Sequence, residues 1–316
     1  MGTLHFLRPA KNHPRLILVI HSSRRMDCLM LCLRCLERFT DLAKFKRIYI
    51  LVEGYSPERL AIARHFERRH DNAAALDCMT GGPSGDAAMA ENAIIERHAG
   101  DVIISLDEDA FVTPHWLEHL LDGYQTLRRN PRTPVITPLS PISASGRRIL
   151  SRFLKYAYPA ERGMFLGPPV EEDWVYHRWI WRKIMKSGLI ETYLAQKPPA
   201  LVLSKEADAN CILYDRRLME LIHPLPPVPA QGGPAGVEAA VNKALRENDL
   251  RAAIMGRGVV HRYGFPACED YLRAYAPLDD VWGYLDEVRV PRFIAPAKPP
   301  VRVKGRPVLT LLRSRA

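Results

Sequence analysis

The chain has 316 residues, 47% of them hydrophobic and 25% charged, the balance of a globular protein long enough for one large α/β domain with or without an appendage. No apolar run reaches the roughly 18 residues of a membrane span, and Leu16 to Ile20 is too short for the core of an export signal, so a cytoplasmic location is expected. The net charge of +10 resides in the C-terminal tail: Val288 to Ala316 holds eight basic residues and no acid, and the rest is near neutral at 37 basic against 35 acidic, which argues against a nucleic-acid partner for the body.

In chain order, Leu16 to Ile20 predicts a buried strand ending in His21-Ser22-Ser23-Arg24-Arg25. The helix that follows, Met26 to Phe39, carries Cys28, Cys32 and Cys35. That spacing is similar to the iron–sulfur motif of radical S-adenosylmethionine enzymes, but it is also one face of a helix, and burial of three reduced thiols is expected. Arg47 to Val52 predicts a second strand, tipped by Glu53, with Ser56-Pro57 starting a helix that runs to about His70. A third strand near Ala74 to Cys78 leads into the glycine-rich segment Gly81 to Asp86, then a helix from about Ala87 to His98. The glycine segment is neither a Walker loop nor a G-x-G-x-x-G fingerprint, though it could let a nucleotide approach the backbone closely.

Val102 to Leu106 is the next strand, and it ends in Asp107-Glu108-Asp109. Thr113 and Pro114 predict a capped helix running to Arg128. An alternation of this kind builds a mostly parallel sheet with helices on both faces, and such sheets place ligands at the carboxyl ends of their strands. His21, Glu53, Gly81 and Asp107 should therefore line one edge. A lone Asp-x-Asp is more often a solvated turn, but at such an edge two carboxylates can hold a hard cation that neutralises a diphosphate.

Val135 to Pro138 predicts another strand, and residues 139–200 form a long insertion with Trp174, Trp179 and Trp181 among Arg178, Arg182, Lys183 and Lys186. This stretch could bind an acceptor, lie on an anionic membrane surface, or pack as a core helix with a solvated basic face. After Asp208 to Arg217, the Pro/Gly-rich span Pro224 to Gly236 reads as a loop that delivers Glu238 to the start of a helix, Val237 to Asn248. Gly258 to Tyr263 is a strand containing His261. Tyr271 to Glu287 is a further amphipathic helix, followed by the basic tail.

Residues 15 to about 263 resemble the family-2-type glycosyltransferases of the GT-A fold. The resemblance is carried by Val19 to Arg25, by Val52-Glu53-Gly54-Tyr55-Ser56, by Gly85 to Asn92 with Glu91-Asn92 in place of the usual Arg-Asn, and most closely by Gly100 to Pro114. His21 stands where a proline is usual and Arg24 where an asparagine is usual. The resemblance implies a catalytic domain over residues 1–270, comprising a nucleotide-binding half (15–138), an insertion forming an acceptor region (139–200) and an acceptor and catalytic half (201–270), with a C-terminal helix and basic tail over 271–316. It implies that Asp107 and Asp109 hold Mn2+ or Mg2+ on the diphosphate, that His261 is a third metal ligand, and that Glu53 contacts the uracil or ribose. His21, Ser22, Gly85, Asp86 and Glu108 are expected around the same nucleotide.

Glu238 is implied as general base, which agrees with the need for one carboxylate to take the acceptor's proton during an inverting displacement. The expected activity is metal-dependent, inverting transfer of a sugar from a nucleotide-sugar donor, with UDP the expected nucleotide, to a hydroxyl of a glycan, lipid-linked or protein acceptor, and peripheral association of the protein with a membrane is compatible with it. A nucleotidyltransferase of similar sheet, or a basic nucleic-acid or membrane-surface binding protein on a degenerate catalytic fold, are the alternatives.

Overall fold

The computed structural model describes residues 14–78, 87–208, 210–226 and 236–289. The chain runs β1 (Leu16–Ser22), α1 (Met26–Phe39), β2 (Phe45–Glu53), α2 (Pro57–Arg69), β3 (Ala73–Cys78), α3 (Ala87–Arg97), β4 (Val102–Asp107), β5 (Ala110–Val112) and α4 (Trp116–Leu127). It continues through β6 (Val135–Leu139), α5 (Ala144–Ala157), α6 (Trp174–Ser187), α7 (Leu189–Ala195), β7 (Val202–Ser204), β8 (Cys211–Tyr214), α8 (Arg216–Ile222), α9 (Gly236–Glu247), β9 (Ala252–Arg262), α10 (Glu269–Tyr275) and α11 (Leu278–Glu287).

The strands form one nine-stranded sheet in the order β3-β2-β1-β4-β8-β6-β9-β5, with β7 also on β9. The β3-β2-β1-β4 half is parallel, and β8 runs antiparallel to both β4 and β6. Period-2 alternation divides the interior. Leu16, Leu18 and Ile20 face a core shared with α1, α2, α4, α5 and α6, whereas Ile17 and Val19 face a smaller core made with α3, α8 and α9. Helices thus cover both faces of a mixed α/β sheet, as its apolar runs require.

Local chemistry explains most boundaries. Ser56 caps α2 by accepting from the Arg59 N–H, with Pro57 in the first turn. Cys28, Cys32 and Cys35 are buried in the larger core, so their spacing serves packing, and burial pushes all three thiols above their usual pKa.

Two helix bounds change and one open reading is narrowed. The helix expected from Pro114 begins at Trp116, because Ala110–Val112 pairs with β9 and the Thr113 hydroxyl donates to the Val259 carbonyl. Of the three readings of the insertion's tryptophans, core packing describes two: Trp179 and Trp181 are buried, and their indole N–H groups donate to Glu161 and to the Tyr263 carbonyl. Trp174 stacks on Tyr271 at 4.8 Å. The helix expected over Tyr271 to Glu287 is two helices, broken at Ala276-Pro277. Gly81 to Asp86, residues 227–235 of the loop and the tail beyond 289 lie outside the described residues. Among the described residues, no helix is long and apolar enough to cross a membrane.

Candidate active site

The carboxyl ends of β1, β2 and β4 meet at one edge. In the parallel register His21 lies opposite Asp107, and Ser22 opposite Val52, next to Glu53. The β4–β5 turn carrying Asp107, Glu108 and Asp109 is tied down on three sides by backbone bonds. The Asp107 N–H donates to the Asn210 carbonyl, the Glu108 N–H to the His21 carbonyl, and the Tyr263 N–H to the Asp109 carbonyl. Each bond is 2.9–3.0 Å long, which fixes an acidic tip that mutual repulsion would otherwise loosen.

These tips open into a cavity of about 620 Å3, a size suited to a nucleotide-scale ligand. Among the described residues its wall holds Glu53, Glu91, Asp107, Glu108, Asp109, Glu171, Glu206, Asp208 and Glu238, nine carboxyl groups against Arg24, Arg25, Arg262 and His21. Of the residues expected from the sequence, His21, Glu53, Asp107, Glu108, Asp109 and Glu238 therefore line one space. Gly85 and Asp86 lie outside the described residues.

Two expectations are corrected. Ser22 is fully buried and donates its hydroxyl to Glu108 Oε2 at 2.8 Å. Glu108 itself accepts the backbone N–H groups of Arg24 and Arg25 through Oε1, at 2.9 and 2.8 Å. Both carboxylate oxygens are committed to the β1–α1 loop, so Glu108 holds that loop in place and Ser22 is part of the clamp rather than a nucleotide contact. His261 is 1% exposed and sits between the rings of Trp181 and Tyr284, 5.4 and 6.1 Å away between centroids. Neither ring nitrogen has a hydrogen-bond partner among the described residues, and burial drives its pKa down to about 4. It points away from the acidic tip, because the strand presents the next residue there.

That next residue, Arg262, escaped the sequence reading. Its Nε lies 3.5 Å from Asp109 Oδ2, which also takes Arg25 Nη1 at 3.1 Å. Burial works against the Arg262 charge, but Asp109, Asp107, Asp208 and Glu238 more than restore it and raise its pKa. Arg25 continues to the Gly264 carbonyl and to Glu269, 3.2 Å from its Nε, locking the β1 loop to the β9 end. Glu91 was also missed as a site residue; it is 1% exposed, lies 3.5 Å from His21 Nε2 and accepts from the Tyr214 hydroxyl. Burial opposes protonation of His21, yet Glu91, Glu53 and Asp107 hold its pKa well above 6.5.

On the opposite wall, Asn242 of α9 accepts from the Ala207 N–H and donates to the Ala207 carbonyl. Glu238 lies one turn earlier on the same helix face, so the clamp sets it beside Asp208. Asp208 is 8% exposed, and its Oδ2 has no hydrogen-bond partner among the described residues. Burial raises the pKa of both Asp208 and Glu238, with Arg262 pulling each back.

The donor set suits a hard divalent cation. Burial and the neighbouring Asp109 push the Asp107 pKa up to about 7, with Arg262 and His21 pulling it back. Among the described residues no three His, Cys, Asp or Glu side chains form a closed cage. A cation here would therefore rest on Asp107 and Asp109 and complete its shell with ligand phosphate oxygens and water, a common arrangement for Mg2+-type ions.

No family model matches the chain, and no curated protein matches it. Solved structures of similar trace include a mannosyltransferase from Pyrobaculum calidifontis in complex with GDP-Man and Mn2+, at 11% identity and a TM-score of 0.49, covering 89% of this chain and 67% of that one. A mycobacterial protein is similar at 14% identity and a TM-score of 0.44, covering 88% of this chain and 76% of that one. What the cavity does must be sought in its own side chains.

Proposed function

We propose that the protein is a cation-dependent glycosyltransferase that moves a sugar from a nucleoside-diphosphate donor, UDP being the first nucleotide to test, to an acceptor hydroxyl with inversion. The observation that carries this reading is the convergence of His21, Glu53, Asp107 and Asp109 on one wall and Asp208 and Glu238 on the other. So acidic a cavity would repel a diphosphate unaided; a divalent cation on Asp107 and Asp109 would supply the charge that stabilises the departing diphosphate.

In this mechanism Glu53 accepts hydrogen bonds from the ribose or base, and Arg262 adds fixed positive charge beside the acidic pair. Glu238, its basicity raised by burial, takes the proton of the acceptor hydroxyl. That oxygen bonds to the anomeric carbon as the bond from this carbon to the diphosphate oxygen breaks, and the nucleoside diphosphate leaves with the electron pair. Asp208 positions the acceptor through hydrogen bonds to its other hydroxyls.

The nucleotidyltransferase alternative loses ground at the β1–α1 loop. That chemistry needs the loop's backbone N–H groups for a triphosphate, and those of Arg24 and Arg25 are already given to Glu108. The test is a thermal-shift titration with UDP, GDP, ADP and CDP, each with and without Mn2+. A shift of several degrees for one nucleotide, dependent on the metal and lost in Asp107→Asn, is expected; no shift with any of the four would overturn the reading.

A further inference from the structure

Far fewer apolar side chains protrude than are buried, and three of the protruding ones fall close together. Tyr156, Met164 and Leu166 are 82%, 40% and 58% exposed. Between them, Tyr158 and Phe165 pack on the same indole, Trp179, at 5.6 and 5.4 Å between ring centroids. The three exposed side chains therefore fan out around one buried ring rather than lying at separate places on the surface.

Cations surround them. Arg148, Arg152 and Lys155 repeat at i, i+4 and i+7 on the outer face of α5, whose inner face buries Leu150, Phe153 and Leu154. Arg162 is exposed beside Met164. Between residues 144 and 170 the one acid is Glu161, and its oxygens are taken by Lys183 at 2.7 Å and by the Trp179 indole at 2.6 Å. None of Arg148, Arg152, Lys155 and Arg162 forms an ion pair among the described residues. The outer face of α5 is therefore positive beside an apolar centre, with the exposed Glu171 and Glu172 following on the side toward the cavity.

It also adjoins the cavity. Arg147, in the first turn of α5, donates to the carbonyls of Gly167 and Pro168 and to Asp173, folding the 162–168 segment back toward the start of the helix. Ser143, Ala144, Ser145 and Glu171, on either side of that fold, line the cavity.

We propose that the α5 cationic face, together with Tyr156, Met164 and Leu166, docks the protein on an anionic phospholipid bilayer with the cavity mouth at the lipid surface. Cations on a helix face attract the headgroups, and aliphatic side chains gain by entering the acyl boundary, where a tyrosine also sits well. A nucleic acid would use the cations but gain nothing from Met164 and Leu166, since single strands are held by aromatic stacking and phosphate contacts. Docking does not depend on the reaction proposed above, because vesicle binding is read without any nucleotide or acceptor. If both hold, the acceptor is one carried in the membrane.

The test is sedimentation of the full chain with vesicles of 70% phosphatidylcholine and 30% phosphatidylglycerol, against phosphatidylcholine alone. Arg152→Glu/Lys155→Glu and, separately, Met164→Asp/Leu166→Asp alter exposed side chains, and an unchanged melting temperature checks that each variant is folded. A third variant, Arg302→Glu/Lys304→Glu/Arg306→Glu, reverses charge in the tail. The wild type should bind the anionic vesicles and not the neutral ones, each patch variant should lose at least about tenfold in affinity, and the tail variant should keep most of its binding. The proposal is overturned if the wild type does not bind, if the tail variant alone loses binding, or if the patch substitutions abolish binding to a poly(U) probe while leaving vesicle binding intact.

Discussion

His261 and Arg262 are consecutive residues of β9, yet they answer to opposite rules. Arg262 faces the acidic cavity, partly buried, where Asp109, Asp107, Asp208 and Glu238 surround its guanidinium and raise its pKa against the effect of burial. His261 faces the aromatic layer of Trp181 and Tyr284, where nothing compensates a charge and the ring stays neutral. The strand pleat makes this division, one side chain to each face. His21, whose pKa burial would lower but Glu91, Glu53 and Asp107 raise, and His261, lowered by burial with no charged partner among the described residues, show that partners of opposite sign in the compartment decide the direction.

The most forceful way to break the contrast is to move the metal function from one compartment to the other. Asp107→Asn should abolish the metal-dependent shift with nucleotide and slow transfer by roughly 1,000-fold, whereas His261→Phe should leave both intact. Loss of the Mn2+-dependent shift in His261→Phe would restore the histidine as a ligand and sink the division. Glu108 sharpens the contrast within the cavity itself. It stands between two candidate ligands, but its role is to satisfy Ser22 and two backbone N–H groups. Glu108→Ala should cost about 3 kcal/mol of stability in urea unfolding, because it strands buried donors; an unchanged midpoint would mean the clamp carries no strain-free bonds worth counting.

The aromatic compartment makes its own prediction about pH. His177 and His261 are both buried, and burial lowers each to about 4. In the unfolded chain both titrate near 6.5, so between pH 6.5 and 4 the unfolded state binds more protons than the folded one. The contribution of these two histidines is therefore full above pH 6.5 and falls as pH drops through that window, by at most roughly 1.4 kcal/mol per pH unit for each, while the buried carboxyl groups of the cavity, raised in pKa, act with the opposite sign. Melting temperatures from pH 8 to 4.5 should therefore change less favourably for the wild type than for His261→Phe, which lacks one of the two histidine contributions. An equally steep decline in the variant would locate the acid sensitivity elsewhere.

The parallel half of the sheet was legible from the sequence because each strand there is a short apolar run ending in a polar tip, and parallel register alone brings His21, Glu53 and Asp107 to one edge. The face of β9 was not. Its pairing with β6 jumps from Met255 opposite Pro138 to Val259 opposite Leu139, and an irregularity of this kind resets the parity by which His261 or Arg262 would be assigned to a side. The family resemblance makes His261 the expected ligand; the register instead turns Arg262 toward Asp109. The sequence leaves the tryptophans of α6 open among three readings: their spacing shows a helix, and the packing of Tyr158, Phe165 and Tyr263 around Trp179 and Trp181 shows that these two face inward. Arg25 and Glu91 act through partners more than 60 residues away in sequence, which no local pattern records.

Asp208 offers the finest test, since it lies in the charged compartment yet resembles His261 in having an unmet polar atom. Burial raises its pKa, so as pH rises the unfolded chain releases this proton first and folding bears a growing penalty. Asp208→Asn cannot ionise and should gain about 1 kcal/mol over the wild type at pH 8, with the advantage shrinking toward pH 4. If Asp208 positions an acceptor, the same substitution raises KM for that acceptor far more than it lowers kcat. Greater stability together with weaker acceptor use is the outcome expected of a carboxylate kept unsatisfied for a ligand, because a merely structural aspartate would lose stability when its charge is removed.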